Sequence, residues 1–157
     1  MNRKAPKQML FTLDSLNYAI PLSIVREVVA ILPITPLPRV PAYYKGLINI
    51  RGQILSIIDL RLKLNMKEIP HDPKSSVIVI VELGDIQLGL IVDSAKEVSQ
   101  FKEEEVESFS KKDVDAKHDG IVGVAKDNKN DQLVLMLDLM KLFDNSEFKI
   151  FKSTKVA

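Results

Sequence analysis

The side chains able to do chemistry in this chain are few, and their spacing assembles no catalytic set. Two histidines, His71 and His118, stand in polar connections. Without cysteine or a His-x-x-x-His spacing they supply no metal set. Neither lies on an exposed helix with flanking carboxylates, the setting expected of a phosphoacceptor, so both read as solvated loop residues. Asp14, Asp59, Asp93 and Asp138 each begin or follow an apolar element, where turn formation and helix N-capping account for an aspartate. Gly84 with Gly89, and Gly120 with Gly123, are spaced as turns and lack the Lys-Ser/Thr pair of a nucleotide loop. A set of Asp59, Asp93 and Arg51 stays open as the enzymatic or small-ligand alternative, and it requires a deep pocket with convergent polar groups.

The elements that would position these residues are short and apolar. In Gly46 to Leu64, GLINIRGQILSIIDLRLKL, two β-branched runs flank Arg51-Gly52, the pattern of a buried hairpin with a polar tip. Such a ribbon suggests a surface that binds. Met9 to Leu13 and Tyr18 to Leu22 form an earlier hairpin about Asp14-Ser15-Leu16-Asn17. Val77 to Leu83 and Gln87 to Val92 form another about Gly84-Asp85, and Ile121 to Ala125 with Gln132 to Leu137 a further one. From Ser23, a candidate N-cap, the spacing of Ile24, Val25, Val28 and Val29 predicts a helix with Arg26 and Glu27 beside them. Pro21, Pro33, Pro36, Pro38 and Pro41 make Leu32 to Val40 an extended, unpaired connection. Asp59 and Asp138 each cap a short helical turn. The charged segment Lys102 to Lys117 reads as a solvated loop anchored by Phe109 and Val114.

Composition narrows the function classes. At 157 residues and 46% hydrophobic content the chain has ample material for a packed core. Its net charge of +1 gives no global field for nucleic acid or an anionic membrane, and scattered basic residues without Trp offer no stacking platform. The absence of cysteine fits a reducing compartment. No run approaches the roughly 20 apolar residues of a spanning helix, and MNRKAPKQMLF lacks the apolar core of a signal peptide. A soluble cytoplasmic protein is expected.

Tyr18 to Val28 can be laid on Leu88 to Val98 without a gap. Ala19 then meets Gly89, Ile20 meets Leu90, Glu27 meets Glu97 and Val28 meets Val98. Gly46-Leu47-Ile48 answers Gly120-Ile121-Val122, and Asp59-Leu60 answers Asp138-Leu139. The shared order of hairpin, crossing segment, hairpin and Asp-Leu turn argues for an internal repeat. Two small barrels sharing a core would satisfy it, since barrels remove unpaired edges.

Several of these segments together resemble a known family. Tyr18-Ala19-Ile20, Val25-Arg26-Glu27-Val28, Lys45-Gly46-Leu47-Ile48-Asn49-Ile50-Arg51-Gly52 and Ile57-Ile58-Asp59-Leu60-Arg61 resemble the CheW family of chemotaxis coupling proteins. Val77 to Val81, Gly89 to Asp93 and Leu133 to Asp138 resemble its later strands, so the likeness runs over residues 8 to 144. It implies a mainly β fold with a few short helices: two SH3-like five-stranded β-barrels intertwined in one CheW-like domain, the second starting near residue 76. Residues 1–7 and 145–157 would be flexible or peripheral tails. It implies no enzymatic activity, no cofactor and no metal. It also implies a cytoplasmic adaptor joining the histidine kinase CheA, through its regulatory domain, to the helical hairpin of chemoreceptor tips. Association with receptor arrays at the inner membrane would run through those partners, with no direct membrane insertion and no nucleic acid. The same fold in an array driving pili or another output is the nearest alternative. The positions matching the family's receptor-facing groove are Leu22, Val25, Glu27, Val28, Arg51 and Val98, while Gly46 and Gly52 would serve backbone geometry. Ser94, where the family usually has Gly, and the acidic Lys102 to Glu107 stretch depart from the pattern.

Overall fold

β-branched residues alternating between two environments set up the strands, and tight polar turns fold them back. A computed structural model describes residues 5–109 and 120–153. The first half contributes β1 (Lys7–Leu13), β2 (Leu16–Pro21), a 3-10 turn (Leu22–Ile24), β3 (Val25–Ala30), β4 (Tyr44–Ile50), β5 (Gln53–Asp59) and α1 (Leu60–Lys63). Next come β6 (Val77–Leu83), β7 (Ile86–Val92), β8 (Ser94–Gln100), a 3-10 turn (Glu103–Glu105) and β9 (Val106–Ser108). The chain continues through β10 (Ile121–Asp127), β11 (Gln132–Leu137), α2 (Leu139–Leu142) and α3 (Asn145–Ser153). The expected hairpins are present as β1–β2, β4–β5, β6–β7 and β10–β11. Asp14-Ser15 (φ +50°, +66°) and Arg51-Gly52 (φ +52°, +82°) are two-residue turns with both residues left-handed, the twist a tight hairpin needs.

Some local expectations fail for identifiable reasons. Val25 to Ala30 is strand rather than helix. Ser23 makes no capping bond, and β-branched Val25, Val28 and Val29 instead pair with the edge of β6. The start of the charged segment is ordered: Phe109 N–H donates to the Val122 carbonyl (2.8 Å), and β9 pairs with β10. Val114 and His118 lie outside the described residues. Separately from these, α3 follows residue 144 and places Phe151, 3% exposed, in the shared core.

The strands form two sheets, ordered β8-β1-β2-β11-β10-β9 and β3-β6-β7-β5-β4. Each sheet is built from both halves of the chain. The hairpin β1–β2 of the first half is flanked by β8 and β11 of the second, and β6–β7 is flanked by β3 and β5 of the first. Registers repeat as well as order. Val28 stands opposite Val79 as Val98 stands opposite Met9, and parallel partners Ser56 and Leu88 match Leu135 and Tyr18. The internal repeat is therefore a pseudo-symmetric exchange of strands.

The expected pair of closed five-stranded barrels is not present. Among the described residues the sheets have six and five strands and neither closes on itself: β8 and β9, and β3 and β4, remain edges. In the five-stranded sheet the proline-rich connection takes the place that closure would need. That connection is not wholly unpaired, as its prolines led one to expect: Thr35 exchanges both backbone hydrogen bonds with Leu47 on β4 (2.8 Å each), while Pro33, Pro36, Pro38 and Pro41 have no N–H to extend that pairing. The sheet nevertheless curls far enough for Glu27 on edge strand β3 to form an ion pair with Arg51 at the tip of the opposite edge hairpin.

Between the sheets lies one core, where Phe11, Leu13 and Ile20 meet Ile58, Val79, Leu88 and Leu90. Each curled sheet also encloses a smaller cluster of its own, Ile48, Leu55, Ile57, Ile78, Ile80 and Ile91 in one, and Leu10, Ala19, Phe101, Ala125 and Val134 in the other. At ~2 kcal/mol for each large apolar side chain buried, the shared core is the main stabilising term.

Gly46 makes the Thr35 contact possible. Its φ is +139°, and a Cβ there would lie 2.0 Å from the Thr35 carbonyl oxygen. Gly46→Ala should lower unfolding free energy by about 3 kcal/mol. Gly52→Ala, with open space at its turn, should cost only about 1 kcal/mol. Urea denaturation of the two variants checks the difference.

Candidate functional site

The residues singled out from sequence fall on the exposed margins of the two sheets. Arg51 is carried by the β4–β5 turn, which is fixed by Gly52 N–H donating to Asn49 Oδ1 (3.0 Å). Its side chain is 74% exposed and donates to Glu27. Arg26, the neighbour of Glu27, pairs with Glu82 on β6. Val25 and Leu22 are half-buried against the shared core, whereas Val28, one step out on the same edge, is 41% exposed. Val98, its counterpart in the repeat, is 49% exposed on edge strand β8.

The geometry divides the six into groups. Leu22 and Val98 line one depression together with Phe101, and Glu27 and Arg51 line a smaller one beside Ile50 and Leu55. Val25 and Val28 lie along β3, between the 3-10 turn that carries Leu22 and the strand end at Ala30. What the margin offers chemically is apolar surface beside a salt-bridged arginine fork and unpaired strand edges, the makings of a protein-docking surface.

The aspartates have structural partners. Asp59, 1% exposed, accepts from Leu62 N–H at the start of α1 (3.4 Å) and contacts His71 Nε2 (3.1 Å). His71 is thus a half-buried partner of a cap, not a solvated loop residue. Asp138 accepts from Met140 N–H (3.0 Å). Asp93 takes a two-point hydrogen bond from Arg61, Nε to Oδ1 at 2.6 Å and the second through Nη2, and accepts from Asp14 N–H (2.7 Å). That pairing raises the Arg61 pKa further above its ordinary value. Asp93 therefore belongs to Arg61 and Arg51 to Glu27, so the Asp59, Asp93 and Arg51 set is divided among different partners. Ser94 hydrogen-bonds Thr12 through their hydroxyls (2.5 Å), joining β8 to β1. No group of three potential metal ligands occurs among the described residues.

A second polar cluster escaped the sequence reading. Glu147 on α3 accepts from the Tyr43 hydroxyl and from Lys63 Nζ (2.7 Å), and Lys63 lies over the Tyr43 and Phe143 rings (4.8 and 5.4 Å). Burial, then the hydrogen bond to Glu147 and the charges of Glu147 and Asp144, push the Tyr43 phenol well above its usual range. Asp144 caps α3 reciprocally with Glu147: Glu147 N–H donates to Asp144 Oδ1 (2.8 Å) and Asp144 N–H to Glu147 Oε1 (3.0 Å). Ser146 first, then the Glu147 backbone, hold the Asp144 carboxyl below its ordinary value. Asp-x-x-Glu ahead of Phe148 and Phe151 was the available signal.

Residues 7–147 match the family model described as the CheW-like domain. The chain belongs to the CheW family. It is 34% identical over 119 residues to the chemotaxis protein CheW of Bacillus subtilis, covering 74% of this chain and 76% of that one. The probable chemotaxis protein CheW of Rhizobium etli is 28% identical over 148 residues, covering 94% and 93%. The crystal structure of the scaffolding protein TtCheW from Thermoanaerobacter tengcongensis superposes with a TM-score of 0.79 at 31% identity, covering 89% of this chain and 93% of that one. As a CheW-family member the chain is a non-enzymatic chemotaxis adaptor. No helix among the described residues is long and apolar enough to cross a membrane.

Most of α3 lies beyond the family match, and its seat depends on Glu147. Tyr43→Phe removes a hydrogen bond to a carboxylate and should cost about 1.5 kcal/mol. In wild type the phenolate should form only above the ordinary tyrosine range, so stability from this bond persists below about pH 10 and is lost as pH rises further. Denaturation of both proteins at neutral and alkaline pH, with absorbance titration of the tyrosines, checks this.

Proposed function

We propose that the chain couples the cytoplasmic helical hairpin of a chemoreceptor to the regulatory domain of CheA, and that Leu22, Val25, Glu27, Val28, Arg51 and Val98 form its receptor-facing surface. The observation that carries the assignment is the pair of exposed valines, Val28 and Val98, at equivalent positions on two edge strands next to half-buried Leu22 and Val25. An apolar stripe of a helical hairpin can lie on such a surface. Arg51 and Glu27 border it as a mutually oriented pair. Arg51 donates to that carboxylate while most of its fork stays open to solvent. Residues 8–144 act as one domain, in the cytoplasm, and reach receptor arrays at the inner membrane through these partners.

Signal passage requires that the adaptor, or the assembly it completes, bind the two receptor states with different affinity, because equal affinity shifts no equilibrium. A rigid body presenting separate surfaces meets this need without chemistry of its own. The shared core supplies that rigidity, since neither sheet can shift without repacking residues from the other.

Co-sedimentation with receptor-containing membranes, with and without CheA, tests the assignment. Val98→Asp should weaken receptor association about 10-fold or more, as expected for charge placed in an apolar contact. Arg51→Ala should weaken it by a few-fold, since exposed ion pairs are worth about 1 kcal/mol or less. Wild type should carry CheA into the pellet. Unchanged association of both variants would remove these residues from the receptor surface, and failure of wild type to sediment under either condition would remove the coupling role.

A further inference from the structure

The depression that holds Leu22 and Val98 has an electrostatic character that the net charge of the chain hides. Its apolar floor is Leu22, Val98 and the almost buried Phe101. Around it stand Lys7 at the start of β1, Lys102 after β8, Lys126 on β10 and Lys129 in the β10–β11 turn, all exposed. Among the described residues none of these four lysines forms an ion pair with a carboxylate. The two carboxylates in the wall are occupied by neutral donors. Glu105 accepts from Lys102 N–H (2.8 Å) and Asn128 Nδ2 (2.7 Å). Asp127 accepts from Lys129 N–H (3.1 Å) and Asn130 Nδ2 (2.9 Å). Four cations therefore face two anions, in a chain whose overall charge is only +1.

We propose that this depression receives an acidic amphipathic helix, with its apolar stripe on Leu22, Val98 and Phe101 and its flanking carboxylates on the lysine rim. The inference rests on the receptor reading above and specifies the partner: the helix of the receptor hairpin seated here carries Asp or Glu beside its apolar stripe. Size agrees with a helix. The depression is open to solvent and offers about 790 Å³, comparable to two turns of an α-helix ~10 Å across. The charge surplus gives orientation and encounter rate, and a helix with a basic flank is rejected by like-charge contact. A bare anion would satisfy the lysines and leave the apolar floor wet. An uncharged apolar helix would cover the floor and leave the rim without counter-charge.

The test measures affinity of the full chain for a purified chemoreceptor cytoplasmic fragment, at about 50 and about 500 mM salt, where screening changes strongly. Wild type, the triple variant Lys102→Gln/Lys126→Gln/Lys129→Gln and Val98→Asp are compared, each first shown to keep the wild-type circular dichroism and melting temperature. A second fragment has the acidic residues flanking its apolar stripe changed to Gln or Asn. Wild type should lose about 10-fold in affinity between the two salt concentrations. The triple variant should lose about as much at low salt and show little further salt dependence. The neutralised fragment should bind wild type and triple variant equally. If Val98→Asp weakens binding while the triple variant and salt leave it unchanged, the lysine rim has no part in recognition, although the receptor reading survives. If wild type binds neither fragment at either salt concentration, both readings are overturned. Continued preference of wild type over the triple variant for the neutralised fragment also overturns the acidic-helix assignment.

Discussion

The fold depends on backbone pairing between strands far apart in the chain. β3 completes the β6–β7 hairpin and β8 completes the β1–β2 hairpin, each in the same register relative to its partner. With parallel pairs β5–β7 and β11–β2 added, neither half owns a sheet. Phe11, Leu13 and Ile20 can be dry only because β6 and β7 lie opposite them, and Val79, Leu88 and Leu90 depend in the same way on β1 and β2. Hydrogen bonding and hydrophobic burial therefore become cooperative across the whole chain.

Polar contacts reinforce that exchange where the strands cross. Arg61, after β5, holds Asp93, between β7 and β8, while Asp93 also takes the Asp14 N–H from the β1–β2 turn and donates its own N–H to the Thr12 carbonyl (3.0 Å). The Arg61 and Asp93 side chains are only 11% and 21% exposed, so removing either partner would leave a poorly solvated charge. Fixing this junction also fixes where β8 begins and hence where Val98 stands on the sheet margin. The same economy serves the other margin, where Gly46 admits Thr35 against β4 and the Arg51 turn follows directly. The surface proposed for docking is thus an outcome of how edges are left or covered, since a closed barrel would have consumed the backbone of β3 and β8.

Much of this was legible in the residues. β-branched alternation and turn pairs gave four hairpins, and Asp-Leu at two places gave two capped helical turns. The repeat was visible as order, but that its halves exchange strands was not, because pairing partners are set by core packing rather than by local preference. Val25 to Val29 has the spacing of a helix yet forms a strand, since valines at 3.6-residue spacing and valines on a half-buried edge strand give overlapping patterns. The barrel expectation came from the repeat, and its five-stranded SH3-like form from the family resemblance. In the sequence the prolines that interrupt closure show only that a strand is broken there, and the fold places them where two edges would meet. At the site, residue types suggested an apolar groove with a charged border. Which cations lack a carboxylate partner among the described residues is visible only in three dimensions, as Lys7, Lys102, Lys126 and Lys129 are spread along the chain. Likewise His71 looked solvated until Asp59 was brought beside it.

The strand exchange has a genealogical reading. A polypeptide consisting of one repeat would contain a hairpin, a crossing strand, a second hairpin and an Asp-Leu turn, yet no partner copy of its first hairpin against which to place its crossing strand. Two such polypeptides related by a two-fold axis would supply one another with those strands, as in a domain-swapped homodimer. Joining them end to end would preserve every pairing while freeing the two copies to diverge. The divergence is already visible: Arg61 binds Asp93 in one half, while the corresponding place after Asp138 is an exposed methionine, Met140. Asymmetry of that kind is what lets a pseudo-symmetric body offer unlike faces to unlike partners.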